Sequence, residues 1–492
     1  YVKNKDFVNK INEKIKNQIL KIYFKDIFKI VFNEKNYDKN ELIKTINYNF
    51  DSILHIMNSK NSTKLEYTIF DFNIFIYNNY YYYLCYLDTN VVELQKKYSQ
   101  ILRKILPDIN FVAKHCKNPE KKKKKKIKLA LFSFFMADLS SVLRDRANVI
   151  KSLPKDLFEI HLISYGPPKK EYLEIELIKS LYDYIDKKHY LSHITSTDRA
   201  IDRKIIKYIE DLEFDVILFS DIGMTIESVI FAHMKMAPVQ INTWGHSITS
   251  GISTVDYYFS SEYYEIENAQ NNYSEKLLKM KSLCTCYPSI IIKTDGYSRK
   301  SLGMPEDKII LSCMQMRHKY KPEFLDLMNR ILDKYDNVVL MCIDSNNMKE
   351  YFSQFITNMD KMLFVDKCTF NTFNLYLNFS DIIVDTFPFG GCNSSLEAFN
   401  FGKVVVTKPT DYLPGRFTFG FYKKMNIFDT VAVSDEDYFN IVCKLIEDNE
   451  YRKTIENKIL NKKHLLFEEK ESIIEWIHSL INVCSPFVEL IK

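Results

Sequence analysis

Residues 381–397 read Asp-Ile-Ile-Val-Asp-Thr-Phe-Pro-Phe-Gly-Gly-Cys-Asn-Ser-Ser-Leu-Glu and decide the fold of the C-terminal half of the chain. A short apolar string is followed by a glycine pair, and polar residues then open a helix, which is typical of a buried parallel strand that leads into a helix. Only 11 of the 492 residues are glycine, so two adjacent glycines at one strand end indicate a place where the backbone approaches a ligand.

The residues at this turn suit a phosphate group, because a helix start leaves N–H groups unpaired and carries the positive end of the helix dipole. The candidate donor-binding residues are Gly390, Gly391, Asn393, Ser394 and Ser395. Glu397 follows within the helix and is placed to accept hydrogen bonds from a ribose diol. An ordinary capped turn between a strand and a helix is the alternative for a glycine pair taken alone.

The pattern on both sides of this segment predicts two α/β domains. From residue 127 onward, short β-rich strings alternate with amphipathic helices, which is typical of parallel sheets. The first set of predicted strands is 127–133, 158–165, 215–220 and 239–244. The second set is 309–314, 338–343, 362–365, 381–386 and 404–407. This order predicts two Rossmann-like, doubly wound domains that face a cleft, with ligands at the carboxyl ends of the strands.

The predicted boundaries divide the chain into four parts. These are a mainly helical N-terminal region at 1–118, a lysine-rich linker at 119–126, a first Rossmann-like domain at 127–295 and a second at 296–492. The helical prediction depends on apolar residues that recur at spacings of three and four, first within 11–31 and again within 94–105.

The composition excludes a disordered chain and argues against a nucleic-acid partner. Hydrophobic residues make up 46% of the chain, which is enough to build packed cores. The formal net charge is +5, and the six lysines at 121–126 account for all of this surplus.

Ten scattered cysteines without paired CxxC spacing predict reduced core thiols and no metal site. Because no apolar run is long enough to span a bilayer, a cytoplasmic protein is expected.

Two further strand ends carry polar residues. Residues 237–251 read Ala-Pro-Val-Gln-Ile-Asn-Thr-Trp-Gly-His-Ser-Ile-Thr-Ser-Gly and leave a strand into a loop that suits sugar hydroxyls or phosphates. His246, taken alone, also fits a structural histidine. Residues 312–322 read Ser-Cys-Met-Gln-Met-Arg-His-Lys-Tyr-Lys-Pro, so basic residues precede a helix that Pro322 opens. Gln315 and Lys319 are the donor-side candidates here, and a solvated basic turn is the alternative.

In this order, the three segments resemble the catalytic region of the O-linked N-acetylglucosamine transferase family, glycosyltransferase family 41, in its bacterial-type branch. The resemblance extends over roughly residues 75 to 465. The matching strings include Asp221-Ile222-Gly223-Met224, Ala237-Pro238-Val239-Gln240, Trp244-Gly245-His246, Thr249-Ser250-Gly251 and Asp385-Thr386-Phe387-Pro388-Phe389-Gly390-Gly391. The Phe-Pro-Phe-Gly string is also similar to the adhesin-modifying N-glycosyltransferases.

The resemblance implies a GT-B fold and inverting, metal-independent transfer of a sugar, N-acetylglucosamine, from a UDP-sugar to Ser or Thr hydroxyls of protein. No cofactor is implied, since the UDP-sugar is the substrate. By position, Lys319 matches the family lysine on the donor diphosphate, and Asn393, Ser394 and Glu397 match residues on phosphate and ribose. Arg416 falls on a family arginine that lines the cleft.

The acceptor side departs more from the family pattern. His246 and Asp221 are the candidates for a catalytic base, since a neutral histidine can take a hydroxyl proton. Ser140 stands where bacterial-type members usually have a histidine, and Thr249 and Ser250 are further acceptor-side candidates. The alternatives are a catalytically inactive GT-B scaffold that binds a nucleotide, or a transferase that acts on Asn or on non-protein glycans.

Two charged strings are interpreted as surface features. The sequence Arg144-Asp145-Arg146 opens a predicted helix and is expected to form an exposed charged face. The string Asp435-Glu436-Asp437 predicts the start of a surface helix rather than a metal site.

Overall fold

The computed structural model describes residues 39–58, 80–117, 119–191, 202–344 and 348–491. The apolar pattern at 11–31 lies outside the described residues. The chain divides into two compact units. The first comprises described residues up to Ser260, together with Glu267–Met280 and the chain from Glu471 onward, and the second comprises Ser261–Ile266 and Lys281–Lys470.

The first unit begins with helices and continues as an α/β sheet. Its helices are α1 Lys39–Asn58, α2 Tyr80–Leu84, α3 Val92–Ile105, α4 Lys114–Lys117, α5 Ser141–Lys151, α6 Glu176–Tyr184, α7 Arg203–Asp211 and α8 Ile226–His233. Its strands are β1 Lys122–Lys124, β2 Ile127–Phe132, β3 Phe158–Ser164, β4 Lys187–Tyr190, β5 Val216–Phe219, β6 Val239–Asn242, β7 Tyr257–Ser261 and β8 Lys276–Met280.

The second unit contains a smaller sheet and the helices around it. Its strands are β9 Ile309–Ser312, β10 Val338–Ile343, β11 Met362–Val365, β12 Ile382–Val384 and β13 Val405–Val406. Its helices are α9 Pro322–Lys334, α10 Met348–Phe352, α11 Phe370–Phe379, α12 Asn393–Asn400, α13 Phe417–Met425, α14 Asp435–Glu447 and α15 Asn449–Lys462. The chain ends with α16 Lys470–Cys484 and β14 Val488–Leu490.

The N-terminal helices form because their apolar residues share one face. Phe50 on α1 and Tyr98 on α3 are fully buried, with ring centroids 6.2 Å apart. Burial of such large rings supplies most of the stability of a short helix pair. Within the predicted helical region 1–118, the structure has helices at 39–58 and 92–105, among others.

Both sheets are built from parallel strands and have a doubly wound order. The first runs β4-β3-β2-β5-β6-β7-β8, and the second runs β11-β10-β9-β12-β13. The pairs from β4 to β7 and from β11 to β13 are parallel. The strand order reverses between β2 and β5 in the first sheet and between β9 and β12 in the second. Chain segments diverge at such a switch point and leave a crevice at the carboxyl ends of the two strands.

The predicted linker at 119–126 forms part of the first unit. Lys122–Lys124 is strand β1, which pairs in parallel with β14. Lys124 Nζ lies 2.6 Å from a carboxylate oxygen of Asp215, which is almost completely buried. The lysine run is ordered because backbone pairing and this ion pair hold it in place, which an isolated charge pattern does not reveal.

The C-terminal residues also differ from the predicted boundary. The sequence assigned all of 296–492 to the second domain, but the chain from Glu471 onward belongs to the first unit. Trp476 on α16 is fully buried against Phe259 of β7, with ring centroids 5.2 Å apart. This aromatic contact and the β1–β14 pairing return the end of the chain to the first unit.

The expected exposed Arg-Asp-Arg face is wrong. Asp145 and Arg146 are 5% and 1% exposed, respectively. The Arg146 guanidinium lies 4.1 Å from the ring centre of Trp244 and 5.5 Å from that of Trp476. It also donates a hydrogen bond of 2.7 Å to the hydroxyl of Thr243. Aromatic faces stabilise a desolvated guanidinium, so this charge packs inside the unit.

Three other predictions concern local features. Helix α14 begins at Asp435 and is capped by Ser434, which confirms the helix start predicted at this acidic string. All ten cysteines lie in the described residues as free thiols, and most are buried, as predicted. Among the described helices, none has both the length and the apolar character that a membrane span requires.

Candidate active site

The donor-side candidates meet at the switch point of the second sheet. Strand β9 leads into the loop that carries Gln315 and Lys319, and β12 leads into the turn at Gly390 and Gly391. Because β9 and β12 are neighbours, these two loops lie at the same edge of the sheet. The sequence places them 71 residues apart, and only the parallel pairing brings them together.

Lys319 connects the two loops. Its ammonium donates hydrogen bonds to the carbonyl of Gly390 at 2.6 Å and to Oε1 of Gln315 at 2.9 Å. Gln315 in turn donates through Nε2 to the hydroxyl of Ser394 at 2.9 Å. Lys319 Nζ also lies 4.3 Å from the ring centre of Phe389. The structure therefore gathers a cation, an amide and a helix-start hydroxyl, which is a donor set that suits a diphosphate.

Helix α12 starts directly behind this group. Its N-cap position is Cys392, and no side-chain cap bond closes the helix start. A Cβ atom at position 391 would lie 2.3 Å from Oγ of Ser395, so a side chain there would displace the Ser395 hydroxyl and glycine is favoured. The backbone of the Gly390–Gly391 turn therefore lies close to the first N–H groups of α12. The start of a helix favours an anion because these N–H groups are unpaired within the helix.

Glu397 lies inside the second unit and is 2% exposed. Its Oε1 accepts a hydrogen bond of 3.0 Å from the hydroxyl of Tyr287. This contact orients the carboxylate. Glu397 lies one turn into α12, which is the position that the sequence predicts for a ribose-binding acid.

Arg416 faces backbone carbonyls of its own unit. It donates through Nε to the carbonyl of Tyr264 and through Nη1 to that of Thr410 at 2.7 Å. Burial lowers the pKa of its guanidinium. The turn before it packs on the glycine turn, since Gly390 N donates to the carbonyl of Pro414 at 3.0 Å. Arg416 is therefore held beside the donor-side residues by main-chain contacts.

Asp221 lies at the switch point of the first sheet and is fully buried. Its Oδ2 accepts from the backbone N–H of Phe134 at 3.1 Å and from the hydroxyl of Ser133 at 3.4 Å. Its Oδ1 has no hydrogen-bond partner. Burial raises the pKa of the Asp221 carboxyl to about 7. A carboxyl in this state can gain or lose a proton near neutral pH.

His246 is held by the N-terminal helices of the same unit. Its Nε2 lies 2.8 Å from the carbonyl of Tyr81, so Nε2 carries the hydrogen and Nδ1 is the basic nitrogen. Burial lowers the pKa of His246 to about 4. A side chain at position 223 would contact the ring at 2.6 Å, so Gly223 makes room for it. The imidazole is neutral near pH 7 and has a clear packing role.

The three acceptor-side candidates are engaged in local structure. Ser140 is the N-cap of α5 and accepts from the N–H of Leu143 at 3.1 Å. Thr249 and Ser250 each donate a hydroxyl hydrogen bond of 2.6 Å to the buried carboxylate of Glu275. These hydroxyls stabilise a helix start and a loop, so the structure places them in supporting roles.

Residues 284–474 match the family model described as glycosyl transferase family 41. Over these residues, the chain is similar to glycosyltransferase family 41. Two curated relatives are similar to it. One is a probable UDP-N-acetylglucosamine–peptide N-acetylglucosaminyltransferase of Arabidopsis thaliana, 24% identical over 201 residues that cover 38% of this chain and 20% of the relative. The other is a UDP-glucose:protein N-beta-glucosyltransferase of Actinobacillus pleuropneumoniae, 22% identical over 254 residues that cover 50% of this chain and 40% of the relative.

A solved structure supports the fold. A mutant of the Thermobaculum terrenum O-GlcNAc transferase superposes with a TM-score of 0.69, covering 90% of this chain and 82% of that one at 16% identity. This likeness confirms the predicted GT-B class of Rossmann-like domains. The matches to the curated relatives span less than half of the relatives' own lengths.

Two residues of this site were missed by the sequence reasoning. Tyr287 orients Glu397 from 110 positions away, and no local pattern points to it. Asp385 directly follows strand β12 and precedes the glycine turn, and its carboxylate contacts that turn. A charged residue at the end of an otherwise apolar strand is the signal that identifies such a position. Among the described residues, no group of three or more His, Cys, Asp or Glu side chains is arranged to hold a metal ion.

Proposed function

We propose that the chain transfers a sugar from a UDP-sugar to Ser or Thr hydroxyl groups of protein. The observation that carries this proposal is the Lys319 ammonium, held between the Gly390 carbonyl and Gln315 beside the start of α12. UDP leaves with developing negative charge, which a fixed cation and a helix N-terminus stabilise. The names of both curated relatives, which describe UDP-sugar donors and peptide or protein acceptors, support the same substrate classes.

The proposed transfer is inverting and independent of metal. In a single displacement, the acceptor oxygen forms a bond to the anomeric carbon while the bond to UDP breaks, and the acceptor proton passes to a base. Lys319 and the α12 N-terminus offset the charge of the leaving diphosphate. N-acetylglucosamine is the proposed sugar, in line with the Arabidopsis relative, and glucose is the competing choice, in line with the Actinobacillus relative.

We assign the role of base to Asp221 rather than to His246. A base is most effective when its pKa lies near the working pH. Burial places the pKa of Asp221 at about 7 and leaves its Oδ1 without a partner, whereas burial lowers the pKa of His246 to about 4. His246 then acts as the anchor of its loop through the Tyr81 carbonyl.

Release of UDP from a panel of UDP-sugars tests the proposal. The chain is incubated with each donor, with and without lysate protein, in the presence of a chelator. Release that depends on acceptor and occurs with one sugar supports a metal-independent protein transferase and names its donor. Binding of UDP without release favours the nucleotide-binding scaffold instead. A peptide array containing Ser, Thr and Asn acceptors separates O-linked from N-linked transfer, and labelling only of glycans would refute a protein acceptor.

We also propose a cytoplasmic location for the protein.

A further inference from the structure

A buried carboxylate lies directly behind the glycine turn of the donor site. Asp385 is 2% exposed and directly follows strand β12. Its Oδ1 accepts the backbone N–H of Gly391, and its Oδ2 accepts the hydroxyls of Thr407 at 3.0 Å and Thr418 at 2.7 Å. These three donors come from a turn, a strand end and a helix, so the carboxylate joins three separate parts of the second unit.

The glycines are packed against this carboxylate. A Cβ atom at position 390 would lie 2.8 Å from Oδ2 of Asp385, and one at position 391 would lie 3.2 Å from Oδ1. The first distance is shorter than real Cβ contacts and the second is tighter than most of them, so the backbone of the turn packs closely on the carboxylate. The shape of the Gly390–Gly391 turn is therefore set from behind by Asp385.

The same network reaches the first turn of α12. The Thr418 hydroxyl that donates to Asp385 lies 2.7 Å from the hydroxyl of Ser395. Thr418 and Ser395 are each 2% exposed, so these bonds are shielded from water. A chain of hydrogen bonds thus runs from Asp385 through Thr418 to the helix start where the proposed diphosphate site lies.

The charge of Asp385 is unfavourable for binding an anion on the other side of the turn. By Coulomb's law, a carboxylate near a diphosphate weakens binding, and a dry interior increases the effect. Electrostatic attraction of the diphosphate therefore does not explain the position of Asp385. The hydrogen bonds that its carboxylate accepts from Gly391, Thr407 and Thr418 do. Charge-assisted bonds to a carboxylate are stronger than neutral ones, which suits a role in fixing a loop.

We propose that Asp385 is a positioning residue that holds the Gly390–Gly391 turn and the first turn of α12 in the shape that binds the diphosphate of the UDP-sugar. This inference rests on the proposed function, since it concerns the same donor site. It assigns to the chain a residue that acts through the backbone of the turn and contacts no substrate.

Replacement of the carboxylate by an amide separates positioning from charge, because the two effects have opposite signs. In Asp385→Asn, loss of the charge alone would strengthen UDP binding, whereas loss of the hydrogen-bond pattern would weaken it. We expect UDP to bind at least about tenfold more weakly to this variant, as measured by calorimetry on the full chain. With UDP-sugar, the KM should rise more than kcat falls.

Asp381→Asn is the matched control. Asp381 lies at the amino end of the same strand and accepts from Arg299 Nη2 at 2.7 Å and from the N–H of Ile310 at 2.8 Å. The variant Asp381→Asn removes a hydrogen-bonded carboxylate directly before β12. It should therefore lower the melting temperature while leaving the dissociation constant of UDP unchanged. Binding is measured well below the melting temperature of every variant.

Thr418 provides a second test in case Asp385→Asn does not fold. Thr418→Val removes the hydroxyl that links Asp385 to Ser395 and should weaken UDP binding several-fold, whereas Thr418→Ser keeps the hydroxyl and should restore it. Tighter or unchanged UDP binding in Asp385→Asn, or unchanged binding in Thr418→Val, overturns the inference. Absence of UDP binding to the unmodified chain overturns the proposed function itself, and the inference falls with it.

Discussion

The ammonium of Lys319 donates a 2.6 Å hydrogen bond to the carbonyl of Gly390, and this bond joins the loop after β9 to the turn after β12. The two loops flank the switch point of the second sheet, where ligands bind in doubly wound folds. The ammonium also contacts Gln315, which reaches the start of α12. One side chain therefore brings a positive charge to the place where backbone and helix start already favour an anion.

Lys319→Ala is expected to lower kcat by about 100-fold or more, because it removes the cation proposed to stabilise the leaving UDP. The UDP dissociation constant should rise in parallel, as measured by calorimetry. Lys334→Ala is the control, since Lys334 is an exposed cation at the end of α9 paired with Glu447 at 3.1 Å. If Lys319→Ala turns over donor like the parent, the donor site lies elsewhere.

Glu397→Gln is expected to weaken binding of UDP and uridine and to leave binding of inorganic diphosphate unchanged. The carboxylate is oriented by the Tyr287 hydroxyl, and its proposed role is to accept hydrogen bonds from the ribose hydroxyls. Tyr287→Phe should show the same selectivity with a smaller loss, about 1 kcal/mol for one hydrogen bond. Equal loss of diphosphate and uridine binding would contradict this division of roles.

Asp221→Asn is expected to lower kcat by about 100-fold to 10,000-fold, as expected for loss of a general base, with UDP affinity unchanged. Burial raises the pKa of the Asp221 carboxyl to about 7, and a base acts only when deprotonated. The rate of the parent enzyme should therefore fall as the pH drops below about 7. A pH profile that keeps this fall in Asp221→Asn would assign the titrating group to another residue.

The stability of the first unit should depend on a histidine pair. His161 Nδ1 lies 2.9 Å from His189 Nε2, His161 Nε2 contacts Glu159, and His189 Nδ1 lies 2.6 Å from the hydroxyl of Tyr208. Lys187 lies beside the pair through its contact with Glu159. Burial lowers the pKa of His189 to about 4, from an ordinary value of about 6.5 in the unfolded chain.

Between these two pKa values, the unfolded chain binds more protons than the folded one. The contribution of His189 to the free energy of unfolding is therefore fully present above about pH 6.5 and is lost as the pH falls toward 4. We expect the free energy of unfolding, measured with urea at pH 7 and pH 5, to fall more in the parent than in His189→Gln. Identical pH dependence in the two proteins would show that the pair does not titrate in this range.

Much of the second sheet could be predicted from local pattern. The strand–glycine–helix sequence at 381–397 identifies β12, its turn and α12, because a buried strand requires a continuous apolar string and a glycine pair allows close approach of the backbone. Lys319 could be placed in the loop after β9, because the apolar string of that strand ends shortly before it. What the pattern could not show is that Lys319 contacts the Gly390 carbonyl, since the spatial order of parallel strands is not written in their sequential order.

The acceptor-side predictions show the limit of that reasoning. Thr249 and Ser250 look free in the sequence, but Glu275, which lies 26 and 25 positions later, respectively, accepts both hydroxyls. Arg146 looks exposed in the sequence, but the indole rings of Trp244 and Trp476 flank it. A polar residue has the same local pattern whether it faces water or a buried partner, so burial has to be read from the fold.

The sequence by itself determined the fold class, the strand ends that carry the site and the residue types that suit a diphosphate, because all of these depend on periodicity and turn chemistry over a few residues. The tertiary structure decided which of those residues meet and which are engaged elsewhere. His246 bonds to the carbonyl of Tyr81 across 165 positions, and Asp385 accepts from Thr418 across 33. Such contacts depend on which strands and helices become neighbours, and that choice is made by packing of the whole unit.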